Sequence, residues 1–132
     1  FDPEPPMWFM PGPDLPRLTV VQSNIVRAKK RGLVADLTKQ QWDELKIAFG
    51  LRCAYCGHRM RLELEHFIPL SKGGGTTVTN MVPACEICNA HKRNYDPIAY
   101  FMKREDGKRL LDSIRTVLNK IGAAHGKQPV SW

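Results

Sequence analysis

At 132 residues, with 42% hydrophobic residues and six of its ten prolines within residues 1–16, the chain has room for one small folding unit. That unit is read as residues 18–122, between a Pro-rich extended segment 1–17 and a tail 123–132. Twenty Lys+Arg against thirteen Asp+Glu give a net charge of +7, which points to phosphate-rich partners. No apolar run approaches the roughly 18–20 residues of a membrane span, and no secretory n-region and h-region are visible. The expectation is a cytoplasmic, non-secreted protein with no membrane partner. Phe1 is not an initiator Met, so the chain is open to being a piece of something longer.

Taken in order, residues 1–16 (FDPEPPMWFMPGPDLP) cannot hold a helix and should run extended, with Trp8, Phe9 and Met10 available to pack on the domain. Residues 22–31 (QSNIVRAKKR) read as a short helix closed by Gly32. This helix carries Arg27, Lys29, Lys30 and Arg31, a basic face that suits solvent or a DNA backbone equally. Thr38 and Gln41 then form a T-x-x-Q capping box, and Leu37 and Trp42 take the two positions of a hydrophobic staple. Trp42, Leu45, Ala48 and Phe49 follow at helical spacing as a core stripe, and Gly50 ends it.

Residues 60–64 (MRLEL) alternate apolar and polar, as a strand with one buried face does. Residues 71–77 (SKGGGTT) are a Gly-rich loop, fit for close approach of backbone to a phosphate. Residues 81–83 (MVP) are extended, because the residue before proline avoids the α region. A helix starting near Cys85 carries Cys88, Asn89 and Lys92. Asp96 and Pro97 are an N-cap and a first helical residue for the next. Leu110, Leu111, Ile114, Val117, Leu118 and Ile121 mark an amphipathic closing helix stopped by Gly122.

Cys53-x-x-Cys56 and Cys85-x-x-Cys88 lie 28 residues apart. Two such pairs suit tetrahedral zinc, because each turn aims two sulfurs at one point. A disulfide framework would need an oxidising compartment, and a redox Cys-x-x-Cys would leave the second pair idle. Four cysteines fill the coordination sphere, so such a zinc would staple the fold and perform no chemistry. It would also lower the net charge by only two and leave the chain basic.

Between the pairs, the run from Leu62 to Asn94 reads LELEHFIPLSKGGGTTVTNMVPACEICNAHKRN. The ordered pattern is Cys-x-x-Cys, Glu-His-x-x-Pro-Leu, Gly-Gly, Asn, then Cys-x-x-Cys-Asn-x-x-Lys. It resembles HNH endonucleases that carry a zinc-binding version of the ββα-metal fold. The resemblance covers about residues 37–94, with its motif core at 51–94. Upstream, the basic helix and the Trp-bearing helix before Cys-x-Tyr-Cys-Gly look like phage and bacterial members.

The resemblance implies an α+β domain: a small ββα-metal core stapled by the four-cysteine zinc site, with flanking helices. It implies His66 as the general base that takes a proton from the attacking water. Glu65, where Asp is the more familiar residue, matches the carboxylate ligand of a catalytic Mg²⁺ or Mn²⁺, and Asn89 matches the second ligand. Asn80 matches the middle letter of the motif, which pins the loop and helps to orient the base. Hard oxygen donors of this kind are what Mg²⁺ and Mn²⁺ prefer. Lys92 and Arg93 are candidate phosphate contacts alongside Arg27, Lys29, Lys30 and Arg31, with Lys103 and Arg104 further candidates.

The implied reaction is hydrolysis of a DNA phosphodiester to 5′-phosphate and 3′-hydroxyl ends. Each active site nicks one strand, so cutting both needs a homodimer, a second event, or a partner or fused targeting domain. The competing reading is a zinc-stapled nucleic-acid-binding module in which His66 is merely a core histidine. His91, about 200° around a helix from Asn89, should face away from a metal. His58 and His125 read as solvent-side.

Overall fold

A computed structural model describes residues 18–132, so the expected extended run over residues 1–17 lies outside the described residues. The first helix, α1 (Val20–Lys30), begins two residues before the periodicity suggests. Thr19 and Gln22 make a capping box of their own there, each side chain bonded to the other's backbone N–H. The second helix, α2 (Lys39–Ala48), starts at the Thr38/Gln41 capping box as the pattern predicts, and buries Trp42 and Leu45. Ala48 is exposed, so the buried stripe is narrower than read.

Two strands, β1 (Leu62–His66) and β2 (Met81–Cys85), form an antiparallel pair whose register runs from Leu62↔Cys85 to His66↔Met81. β1 starts two residues later than the alternation suggests and runs on through the Glu65-His66 step; Met60 stays exposed. Every residue of β2 is buried, with α2 and the helix that follows β2 packed against it. Helix α3 (Glu86–Lys92) follows β2 without a loop, because Cys85 is at once the last strand residue and the N-cap. The result is a β1–β2–α3 unit carrying both halves of the motif.

The remaining helices complete the core around that unit. Asp96 caps α4 (Pro97–Met102) through its carboxylate, with Pro97 in the first turn. The long α5 (Gly107–Ala124) buries Leu111, Ile114 and Leu118 against α2 and α4. Those residues, with Leu45, Phe67, Met81 and Phe101, form the fully buried centre; each contributes about 1.5–3 kcal/mol relative to exposure.

The expected stop of the closing helix is corrected. Gly122 does not stop α5, which continues to Ala124; a Cβ at Gly122 would lie 2.5 Å from Thr79 Cγ2, so the glycine permits close packing instead. The last residue packs on the domain. The Trp132 ring packs 4.5 Å from that of Phe67, and Arg115 Nε donates to the Trp132 carbonyl at 2.8 Å. His125, read as solvent-side, is partly buried and meets Glu44 at 2.7 Å.

Candidate active site and metal centre

The four cysteine sulfurs converge: all lie within 4.8 Å of one another, and Cys56 Sγ is 3.9 Å from Cys85 Sγ. A tetrahedral ion with metal–sulfur bonds of about 2.3 Å needs sulfurs about 3.8 Å apart, so the cluster fits one metal ion. No pair is disulfide-bonded. Each Cys-x-x-Cys turn is closed by a backbone N–H donating to its first sulfur, Tyr55 N to Cys53 and Cys88 N to Cys85, both at 3.4 Å. Ala54 N bonds Pro83 O at 2.8 Å, which ties the first turn to β2.

The cysteines of the cluster sit in unequal environments. Burial pushes the Cys56 and Cys88 thiols up. Burial also opposes ionisation of Cys85, but the Cys88 N–H and the neighbouring thiols outweigh it and hold Cys85 below the ordinary thiol range. A divalent ion at this cluster would displace thiol protons as it bound.

At the other end of the strand pair, His66 closes β1 and is 8% exposed. It borders a cavity of about 260 Å³ shared with Glu65 and Asn89. Its imidazole Nε2 lies 2.8 Å from the Thr76 hydroxyl. Burial, then the Arg27 and Lys92 charges, lower its pKa from 6.5 to about 4, so the ring is neutral near pH 7 and able to accept a proton.

Asn80 fixes the loop that follows. Its side-chain oxygen accepts from Ile68 N at 2.8 Å, its amide donates to Ile68 O and Gly75 O, and its own carbonyl accepts from Phe67 N. The Gly-rich loop serves this same closure. A Cβ at Gly74 would fall 1.8 Å from Ile68 O and 2.7 Å from the Asn80 amide, so this glycine admits protein backbone and side chain.

Glu65 is almost fully buried, and both its oxygens are engaged: Oε1 accepts from Lys92 Nζ at 3.0 Å and Oε2 from the Tyr55 hydroxyl. Burial raises its pKa, an effect that Lys92 and Tyr55 oppose. Lys92 is therefore not the surface phosphate contact expected of it. It is 0% exposed, paired with Glu65, bonded to His66 O at 3.3 Å, and near the Tyr55 and Phe67 rings. The inward side of α3, which carries Asn89 toward β1, carries Lys92 with it. Asn89 donates through Nδ2 to Glu63 Oε1 at 3.0 Å.

The same cavity is lined by three arginines from two parts of the chain, Arg27 on α1 with Arg31 at its C-cap, and Arg93 just past α3. Lys29 and Lys30 are exposed but do not line it, and Lys103 and Arg104 border a different cleft beside Tyr95 and Tyr100. His91 is exposed and lies beside Cys88 and Tyr100, away from His66. Sequence reasoning missed Tyr55, Glu63, Thr76 and Asn24. Their partners lie 10–52 residues away in the chain, beyond the reach of any local pattern.

Residues 53–95 match the family model described as HNH endonuclease. Among curated proteins the chain is similar to YoqL, an SPbeta prophage-derived protein of Bacillus subtilis (strain 168) whose name assigns it provisionally as an HNH endonuclease. The identity is 29% over 75 residues, covering 46% of this chain and 31% of the relative. The chain thus spans about a third of the length of that relative. No solved structure matches it.

Proposed function

We propose, from the HNH endonuclease family to which residues 53–95 belong, that this chain hydrolyses DNA phosphodiesters with His66 as general base. The observation that carries this reading is a neutral, buried imidazole bordering a cavity that it shares with Glu65, Asn89 and three arginines. His66 removes a proton from water as the water oxygen attacks phosphorus; the P–O3′ bond breaks, the phosphate stays on the 5′ end, and the departing 3′-oxygen takes a proton from solvent. Arg27, Arg31 and Arg93 hold the DNA backbone against the cavity by charge and hydrogen bonding. Asn80 acts indirectly, by closing the loop behind His66.

The residues present fit a hard divalent cation. Tyr55 and Lys92 take one lone pair on each Glu65 oxygen and leave others free. Asn89 binds Glu63 through its nitrogen, which leaves its carbonyl oxygen available. Glu65 and Asn89 would hold Mg²⁺ or Mn²⁺, which would stabilise charge on the phosphoryl and leaving oxygens. The four cysteines would hold zinc, the thiolate-preferring ion, as a staple with no open position. One set of residues cuts one strand, so this domain nicks, and a double-strand break requires a second copy or a partner domain.

The test is supercoiled-plasmid nicking in Mg²⁺, in Mn²⁺ and with chelator, on the wild type and His66→Ala. Nicking should require the divalent ion and vanish in the variant. Equal nicking by both proteins defeats the assignment, and DNA binding with no cleavage in either ion favours the binding-module reading.

A further inference from the structure

Thr76 is fully buried, and its hydroxyl lies between two groups: His66 Nε2 at 2.8 Å and the backbone carbonyl of Asn24 in α1 at 3.1 Å. A carbonyl can only accept, so the single hydroxyl proton goes to Asn24. The Thr76 oxygen is then left to accept, and the hydrogen bond to His66 requires the imidazole proton on Nε2. The lone pair consequently sits on Nδ1. Among the described residues Nδ1 has no hydrogen-bond partner, yet no buried side-chain nitrogen or oxygen there lacks one, so Nδ1 opens toward the cavity.

Thr76 is itself clamped by the chain upstream of the matched segment. Its N–H donates to Val34 O at 2.9 Å, and its carbonyl accepts from Asp36 N and Leu37 N at 3.1 and 3.0 Å. Residues 34–37 and α1 thus hold Thr76 from two directions, and neither belongs to residues 53–95. We infer that α1, through the Asn24 carbonyl and the Thr76 hydroxyl, fixes the tautomer of His66 so that Nδ1 faces the attacking water. Thr76 is a positioning residue, and the helix outside the matched segment is part of the active site. This inference rests on His66 being the base, but the proton's location is measurable without any cleavage.

Nitrogen-15 NMR of the His66 ring in the whole chain reads the tautomer directly. The wild type should show a protonated Nε2 and an unprotonated Nδ1. Thr76→Val, nearly isosteric but unable to accept, should lose that preference and cut DNA more slowly by on the order of 10²-fold in kcat, with little change in KM. Thr76→Ser should restore both tautomer and rate, which a packing role for the methyl group would not predict. A wild-type ring protonated on Nδ1 overturns the inference, and needs no variant to fold. So does a folded Thr76→Val that cuts at the wild-type rate. Failure of the nuclease reading would register separately, as undiminished nicking by His66→Ala.

Discussion

Arg93 closes α3 at φ +49 and ψ −137, the mirror image of extended backbone, which glycine enters freely and other residues rarely do. Its side chain is exposed, lines the cavity, and enters none of the ion pairs among the described residues. The fold gains little from it and stores strain to hold it. Such strain costs about 1–3 kcal/mol, and a glycine would give back about 0.5–1 kcal/mol to the freer unfolded chain. Arg93→Gly keeps the amide bond to Asn89 O, which glycine makes equally well. The net expectation is stabilisation by roughly 1–2 kcal/mol, a rise in Tm of about 4–8 °C for a domain of this size. The same change should weaken DNA binding and nicking, and make the salt dependence of log Kd shallower by about 1. Arg93→Ala keeps the strain, so it should lose activity without the gain in Tm. Thermal melts paired with plasmid nicking decide the matter. A glycine variant that melts lower than wild type, or nicks as fast, refutes the reasoning.

Lys92→Met strands the Glu65 carboxylate in the interior and should cost about 3–5 kcal/mol, read as a large fall in Tm; an unchanged Tm with weaker DNA binding would return Lys92 to the surface role. Chelation with a thiolate-competing agent should release one zinc per chain and lower the Tm, as should Cys85→Ser, whereas removing Mg²⁺ alone should stop cleavage and leave the fold intact. Because His66 titrates near 4 and not 6.5, the single-turnover nicking rate should hold from pH 8 down to about pH 5 before falling, and an inflection at 6.5 would contradict its environment. The stability linkage has the same sign. A depressed folded pKa means that the unfolded chain binds the proton first, so the neutral ring's contribution is complete above 6.5 and is lost as pH falls from there toward 4.

What could be read from the sequence was local in origin. Capping boxes at Thr38, Cys-x-x-Cys turns, the Asp96-Pro97 start and the apolar face of α5 all depend on residues within about four positions of one another, and all four formed as expected. Even the misplaced start of α1 was locally legible, since Thr19 and Gln22 repeat the T-x-x-Q signature of Thr38 and Gln41. What stayed hidden was wiring between distant positions. A lysine in a basic chain reads as a surface charge until Glu65, 27 residues away, is seen to need it. A threonine after three glycines reads as loop until Asn24 and His66 are found on either side of its hydroxyl. The residues that identify the site are thus contiguous, whereas those that orient it are scattered from Asn24 to Lys92. If His66 takes its tautomer from α1, residues 53–95 hold the reacting groups but not the means of aiming them, and a matched segment excised from the chain should bind metal at its cysteines and still cleave poorly.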